Sequence, residues 1–319
     1  MCGNTETVEL IHYHVRETDQ SSRLIDLLCE RFGRKSNDEW RSQIQRGRLT
    51  VDGQLAQPET PIEVGSVVGF DPTDQEEPPT DTRWWTLYED ELVWVIHKPA
   101  PLPCHRNGPY LRSNLMALLR LATNGQRMHL MARLDRDTSG AVLVAKTRAT
   151  CQAIHKAGNT TKVYWCVVSG ETPEHFQCAE PMGPEPGHPT RQHCGSGKSA
   201  LTFFRRLDTH NGNSLLEARP QTGRTHQIRC HLGHLGWPIL GDRLYGDSIQ
   251  ADNHRPKRQL LHAVQITFQH PQRGAMTTIA PLPEDFVAAC GQRKLQLPDV
   301  DSHSKASDCS NINLAQETE

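Results

Sequence analysis

One carboxylate is distinguished by its neighbours. Asp135 lies between Arg133 and Arg136 on a polar turn that Gly140 closes, and the apolar run over residues 141–145 then predicts a buried strand. We expect this carboxylate to stay ionised, because nearby positive charge favours its charged form. An ionised Asp can accept a proton, bind a metal ion or attack carbon. The turn by itself leaves all three chemistries open.

Two other segments carry groups that could act together with Asp135. Gly223 precedes a predicted helix, so that Arg224 and Arg229 could point at an anion. A structural ion pair between Asp135 and one of these arginines is the usual alternative for a single such pair. Tyr164 lies on a predicted strand, where a core aromatic with a hydrogen-bonded hydroxyl is equally an interpretation.

Several motif-like stretches lack a residue that their chemistry needs. A calcium loop beginning at Asp135 would have a bidentate Glu where Lys146 stands. The stretch 195–199 imitates a phosphate loop, but Gln192 replaces its first Gly. The histidines within 226–234 do not have the zinc spacing of four residues, and Pro103-Cys104 has no second Cys for a zinc deaminase. The remaining prediction is a site with neither metal nor cofactor.

The formal net charge of −2 is unevenly distributed along the 319 residues. Residues 1–91 contain 9 Lys and Arg against 19 Asp and Glu, a net of −10. Residues 92–274 contain 23 against 11, a net of +12, and hold 14 of the 17 His. A basic central segment is typical of a polyanion binder. A basic domain without such a partner is an equal alternative on charge alone.

The ten Cys form no Cys-x-x-Cys pair, and no apolar run reaches membrane-spanning length. The first residues include Glu6 and Glu9 and show no signal-peptide pattern. We therefore expect a soluble, cytoplasmic protein with reduced thiols and no membrane association.

The amino-terminal part predicts two helices followed by a hairpin, after a tail or edge strand over 1–20. Asp52-Gly53 is a hairpin-turn signal. The predicted elements are helices over 21–32 and 37–46 and strands over 49–53 and 67–70. This order resembles the S4 RNA-binding domain, with residues 46–53 as the matching core. The resemblance implies a domain over 21–70 in which Arg46 and Arg48 contact RNA. A small structural helix–hairpin unit is the alternative.

An acidic, Pro-rich stretch over 71–83 predicts a linker to a second domain over 84–293, and the polar tail 294–319 is predicted to be disordered. In the second domain we predict strands over 92–96, 141–145, 162–168, 200–207, 214–219 and 260–268, helices over 115–121, 150–155 and about 225–235, and a surface loop over 178–198. Many strands and few helices favour the α+β class.

Several motifs of this second domain occur together in one order. They are Lys98-Pro99, His105, Arg133-Leu-Asp135-Arg-Asp-Thr-Ser-Gly140, Lys162-x-Tyr164, Gln221-Thr-Gly-Arg-Thr-His-Gln-Ile-Arg229, Gly236-Trp-Pro-Ile-Leu-Gly-Asp242, Leu261-His-Ala263 and His270-Pro271. Together they resemble the RluA-type pseudouridine synthases over residues 92–285. Two positions depart from the family: Ala132 stands where His is usual, and Pro101 where Gly is usual.

The resemblance implies an isomerase that converts uridine to pseudouridine in RNA without cofactor or metal. It implies a large mixed, mainly antiparallel sheet with a central cleft. Asp135 would be the nucleophile, attacking either C6 of the uracil or C1′ of the ribose, and Arg224 would hold it by a charge-assisted bond. Tyr164 would pack against the uracil and assist proton removal from C5. Arg133 would fill the space left by the flipped base or hold a phosphate.

Other basic groups would supply affinity for RNA. Lys162, Arg136 and Arg229 would contact phosphate, and His226 would bind RNA beside them. The S4 resemblance favours structured ribosomal RNA over tRNA, by analogy. The alternative function is a catalytically silent RNA-binding or chaperone protein on the same fold. Ala132 keeps that alternative open, whereas the presence of Asp135 opposes it.

Overall fold

A computed structural model describes residues 10–33, 35–73, 76–158, 160–246 and 256–299. The chain divides into two compact units, Met1–Glu77 and Pro78–Glu319. The division falls within the stretch that the sequence predicts as a linker. Asp71, at the start of that stretch, forms an ion pair with Arg48 of the first unit.

The first unit is a small sheet with two helices. Its elements are β1 (Ile11–His14), α1 (Leu24–Arg31), α2 (Asn37–Gln45), β2 (Leu49–Val51), β3 (Gln54–Leu55) and β4 (Val67–Phe70). The strands pair antiparallel in the order β1-β4-β2-β3, so that β1 is an edge strand. Ser36 caps α2 through a reciprocal pair of hydrogen bonds with Glu39. Asp52 and Gly53 both have positive φ, as a two-residue hairpin turn requires, and this confirms the predicted hairpin.

The second unit is built on one large sheet. Its strands are β5 (Trp85–Glu89), β6 (Val93–Lys98), β7 (His129–Leu130), β8 (Ser139–Ala145), β9 (Thr161–Ser169), β10 (His175–Cys178), β11 (Met182–Pro184), β12 (Gln192–Cys194), β13 (Thr202–His210), β14 (Asn213–Pro220), β15 (Leu261–His270) and β16 (Gly274–Ile279). Its helices are α3 (Leu115–Ala122), α4 (Arg148–Ala157), α5 (Gln227–His234) and α6 (Glu284–Gln292).

The strand order of the large sheet is β10-β13-β14-β9-β15-β8-β6-β5, with β16 beside β15 and β7 beside β8. Neighbouring strands are antiparallel except for β15 and β8, which pair parallel through two residues. Every residue of β6 and β8 is buried, which explains their continuous apolar runs. The class is α+β with a mixed, mainly antiparallel sheet, as predicted.

In the second unit the structure adds five elements that the sequence did not predict, and it corrects the prediction in two places. The additional elements are β5, β7, β10, β16 and α6. The predicted loop over 178–198 is not wholly irregular, because β11 and β12 pair within it as a short hairpin. The predicted disorder from residue 294 begins too early, because Leu295 is buried and Leu297 packs against the core. Residues 300–319 lie outside the described residues.

Candidate active site

A cavity of about 480 Å³ opens in the second unit. Its walls come from the turn before β8, from β9 and from the segment between β14 and α5. Seven of the residues singled out in the sequence line it: Arg133, Asp135, Lys162, Tyr164, Arg224, His226 and Arg229. Positions far apart in the chain therefore converge on one space.

The carboxylate of Asp135 is held by Arg229. The Nη1 atom of Arg229 donates to Oδ2 of Asp135 at 2.8 Å. Its Nε and Nη2 atoms donate to the two carboxylate oxygens of Asp242, at 2.6 and 2.9 Å. Asp242 is completely buried, whereas the side chain of Asp135 is 22% exposed. One guanidinium thus binds a structural carboxylate bidentately and still has a donor for a carboxylate that faces the cavity.

Asp242 is equipped to remain charged in the interior. Its Oδ1 atom also accepts the backbone N–H groups of Leu244 and Tyr245, at 2.8 and 3.2 Å. Burial opposes the charged form, but the hydrogen bonds and charge of Arg229 and these two N–H groups lower the pKa of Asp242 overall. Burial likewise acts to lower the pKa of Arg229, yet the two carboxylates raise it. Asp242 and Arg229 are therefore both charged around neutral pH.

His226 lies on the other side of the Asp135 carboxylate. It precedes α5 in a left-handed conformation, with φ of 57°. Its Nδ1 atom is 3.0 Å from the hydroxyl of Tyr245, which accepts the backbone N–H of Gln192 at 2.8 Å. Its Nε2 atom is 4.0 Å from Oδ2 of Asp135. Burial lowers the pKa of His226, so the ring is neutral at pH 7.

Lys98 and Gly140 fix the position of the turn that carries Asp135. The ammonium of Lys98 donates to the carbonyl oxygens of Pro99 and Leu102, both at 2.8 Å, and of Arg136 at 3.3 Å. Lys98 is completely buried. Behind the turn, Gly140 has φ of 118°, and a Cβ atom at this position would lie 2.3 Å from the carbonyl oxygen of Ala263. Only glycine allows strands β8 and β15 to approach so closely.

Tyr164 and Lys162 form the wall contributed by β9. They are two residues apart, so their side chains lie on the same face of the strand. Tyr164 is buried, and burial raises its pKa. Its hydroxyl is therefore protonated at neutral pH. It offers the cavity an aromatic face and a neutral O–H, and it does not act as a phenolate base.

The segment before α5 is anchored by Gln227. Its side-chain oxygen accepts the Thr222 hydroxyl at 2.8 Å and the Arg224 backbone N–H at 3.0 Å. Its side-chain nitrogen donates to the carbonyl of Leu201 and the hydroxyl of Thr202. These bonds hold the loop against the sheet and fix the direction in which α5 begins.

The predicted role of Arg224 is wrong in this structure. The Nε atom of Arg224 donates to the carbonyl of Ser199 at 3.0 Å, and Arg229 holds Asp135 instead. The predicted phosphate contact of Arg229 is wrong too, because its side chain is only 6% exposed and bonded to two carboxylates. The helix was predicted from about residue 225 but begins at Gln227.

The other basic residues occupy different surroundings. Arg133 donates to the Thr225 hydroxyl at 2.6 Å, at the cavity wall. Arg136 does not line the cavity; it pairs with Asp137 and donates to the Tyr110 hydroxyl. In the first unit, Arg46 is exposed and Arg48 is half-buried.

Two residues important to the site were not singled out as functional from the sequence. Asp242 ends the motif over 236–242, but its role as the second partner of Arg229 has no sequence signal of its own. Tyr245 follows three residues later, and the Arg229 guanidinium lies over its ring, 5.2 Å from the centroid.

Within the described ranges, no three His, Cys, Asp or Glu side chains converge in a way that could hold a metal ion. In the same part of the chain, no helix has the length and apolar character needed to cross a membrane.

Comparisons with known proteins agree on one family. The family model described as RNA pseudouridylate synthase matches residues 92–234. A protein of Chloroflexus aurantiacus named as an uncharacterised RNA pseudouridine synthase is 36% identical over 77% of this chain and 83% of its own length. A Xylella fastidiosa protein named ribosomal large subunit pseudouridine synthase D is 34% identical over 81% of this chain and 84% of its own.

A solved structure shares the fold. The structure titled human RNA pseudouridylate synthase domain containing 1 superposes with a TM-score of 0.59 at 22% sequence identity. It covers 72% of this chain and 97% of that protein. The architecture of the large sheet is therefore that of known pseudouridylate synthase domains.

Proposed function

Because this chain belongs to the RluA-type RNA pseudouridine synthases, an isomerase family, we propose that it modifies uridine in structured RNA with Asp135 as its nucleophile. One observation carries the proposal. Asp135 faces the cavity with Oδ2 held by Arg229, while Oδ1 accepts no hydrogen bond from the described residues. A carboxylate that is oriented by one oxygen and open at the other is suited to attack carbon.

The chemistry requires one bond to break and another to form. Asp135 attacks C6 of the uracil or C1′ of the ribose, and the N1–C1′ bond breaks with its electron pair going to the base. The base turns within the cavity, C5 bonds to C1′, and the bond that Asp135 had formed breaks with its electron pair returning to the carboxylate. A proton leaves C5 and one is gained at N1, so the net reaction is an isomerisation. The uridine must first leave its stack, because the carboxylate lies inside a cavity.

Three neighbours assist Asp135 in distinct ways. Arg229 fixes the carboxylate, because it is itself bound to Asp242 and cannot swing away. Tyr164 packs its ring against the uracil. Arg133, at the cavity wall, takes the space left in the RNA stack or holds an adjacent phosphate.

The proposed substrate is ribosomal RNA, and large-subunit rRNA in particular. The support is that relatives from Xylella fastidiosa and Pseudomonas aeruginosa, 34% and 30% identical, are named ribosomal large subunit pseudouridine synthase D. The first unit, two helices and a hairpin in the S4-like order, would hold structured RNA through Arg46 and Arg48.

The experiment compares wild type, Asp135→Asn and Asp137→Asn on large-subunit rRNA and on tRNA. Asp137 is a matched control, because it belongs to the same turn but pairs with Arg136 outside the cavity. Mapping of pseudouridine should show a modified rRNA position with wild type and Asp137→Asn. Asp135→Asn should lower the rate by at least about 10³-fold.

If no RNA acquires Asp135-dependent pseudouridine, the proposed reaction is wrong. RNA binding that weakens steeply with salt would then favour the silent RNA-binding alternative. If tRNA and not rRNA is modified, the nucleophile stands and the substrate assignment falls.

A further inference from the structure

We propose that Lys162 binds the uracil base directly and stabilises the negative charge that the base acquires during the reaction. This role rests on the proposed function, and it replaces the phosphate contact predicted from sequence. Three points support this role: the ammonium lies at the cavity, it has no partner among the described residues, and negative charge develops on the base during the reaction.

Lys162 reaches the cavity from the same strand face as Tyr164. Asp135 lines the same cavity, and its charge acts on both β9 side chains. A base that enters this cavity to meet Asp135 and Tyr164 therefore also meets Lys162.

The ammonium of Lys162 lacks a partner in the described part of the chain: it makes neither a hydrogen bond nor an ion pair there. The side chain is half-buried, and burial lowers its pKa to about 8. A partly desolvated cation with unused donors is costly unless something binds to it. In this protein the free donors face the cavity in which the base must sit.

Both routes of attack send negative charge to the carbonyl oxygens of uracil. Attack at C1′ breaks the N1–C1′ bond and leaves the base as an anion, delocalised over N1, O2 and O4. Attack at C6 places the electron pair on C5 and O4 as an enolate. In either route the charge of Asp135 is consumed as its new bond forms, and a cation beside the base stabilises the transition state more than the ground state.

A phosphate contact is a weaker explanation. Phosphates lie on the outside of a nucleic acid, and the side chains that bind them are usually exposed. Lys162 is instead half-buried on the wall of the cavity that receives the base, whereas the side chain of Arg133, which also lines the cavity, is exposed. The two roles predict different RNA affinities for a variant without the ammonium: unchanged affinity if Lys162 contacts the base, and weaker affinity if it contacts a phosphate.

The test compares Lys162→Met with Lys156→Met, which removes an exposed lysine of α4 outside the cavity. Single-turnover rates are measured at saturating RNA, and dissociation constants are measured over a range of salt concentrations. We expect Lys162→Met to slow the reaction by about 10²–10³-fold. RNA affinity and its salt slope should stay at the wild-type values, as they should for Lys156→Met.

Substrates with sulfur in place of O2 or O4 at the target uridine give a second readout. Sulfur accepts a hydrogen bond only weakly. One of the two thio substitutions should therefore slow wild type and leave Lys162→Met little changed, so that the difference between the enzymes narrows. The substitution that narrows it identifies the oxygen that Lys162 contacts.

Three outcomes would overturn the proposal. A wild-type rate in Lys162→Met removes any role in the reaction. Weaker RNA binding with a shallower salt slope assigns the ammonium to a phosphate. If neither thio substitution reduces the difference in rate between wild type and Lys162→Met, Lys162 does not contact the base. Loss of Asp135-dependent pseudouridine in wild type itself would instead remove the proposed function, and this inference with it.

Discussion

Lys98 and Lys162 are both withdrawn from bulk water, and burial lowers the pKa of each to about 8, yet their surroundings differ. Lys98 lies under the Asp135 turn and donates to three carbonyl oxygens. Lys162 faces the cavity and has no hydrogen bond within the described residues. The first lysine has a complete set of partners in the protein, and the second does not.

The carboxylates on Arg229 repeat this contrast. Asp242 is completely buried and accepts two hydrogen bonds from Arg229 and two from the backbone. From the described residues, Asp135 accepts one side-chain hydrogen bond, on one oxygen. Lys98 and Asp242 thus have hydrogen-bond partners within the protein for their charged groups. Among the described residues, the charged groups of Lys162 and Asp135 have atoms that can still form hydrogen bonds. A substrate can complete a polar network only where the protein leaves hydrogen-bonding groups unpaired.

The largest difference in stability should come from removing one or the other of the two carboxylates that pair with Arg229. We expect Asp242→Asn to lower the free energy of unfolding by about 3–5 kcal/mol, because it leaves a buried guanidinium with too little countercharge. Asp135→Asn should change it by less than about 1 kcal/mol, since Arg229 keeps Asp242. Urea unfolding of both variants measures this. Equal destabilisation would mean that both carboxylates belong to the scaffold.

Substitution of the two lysines should also affect the free energy of unfolding unequally, but the difference should be smaller than for the carboxylates. Lys98→Met removes the donor from three carbonyl groups, and we expect a loss of about 1–3 kcal/mol in the free energy of unfolding. Lys162→Met removes a half-buried cation without a hydrogen bond, so its stability should equal or exceed that of wild type. Thermal and urea unfolding of the two variants provide the comparison. A clear destabilisation by Lys162→Met would show that its ammonium has a structural partner.

Stability at alkaline pH should show that burial disfavours the charged form of Lys162 in the folded protein. Its pKa is about 8 in the folded protein against an ordinary value of 10.5, so between these pH values the unfolded chain binds more protons. The stability of wild type relative to Lys162→Met should therefore rise with pH across this window, by at most about 1.4 kcal/mol per pH unit. It should be constant below the window. A relative stability that falls across it would contradict a burial-lowered pKa.

Arg224 should give the smallest effect. Because its guanidinium donates to Ser199 and not to Asp135, Arg224→Gln should reduce the single-turnover rate by less than about tenfold, or 1.4 kcal/mol. Arg229→Gln is the comparison and should abolish nearly all activity. Similar losses in the two variants would restore Arg224 as the residue that orients the nucleophile during the reaction.

The sequence was most informative where a local pattern determines the structure. The hairpin at Asp52-Gly53, the buried strand after Asp135 and the family motifs are all continuous stretches, and their elements occur where they were predicted. The convergence on one cavity followed from the resemblance and not from spacing, since Asp135 and Arg229 are 94 residues apart in the chain.

What could not be predicted depends on conformation over a few residues. His226 takes a left-handed conformation immediately before α5, which begins at Gln227 and carries Arg229 in its first turn. No residue type at this position signals that choice. β16 was missed because none of its side chains is buried and they do not alternate, and α6 was missed because its helical pattern is short and follows prolines.

The glycine behind the nucleophile also limits how this protein can be engineered. At Gly140 every other amino acid would bring a carbon atom to 2.3 Å from the carbonyl of Ala263 and force β8 away from β15. The displaced end of β8 is the end that joins the Asp135 turn, so the damage would reach the nucleophile at once. Libraries that randomise the turn to change substrate choice should keep this codon fixed and place their diversity at Ala132, on the cavity wall.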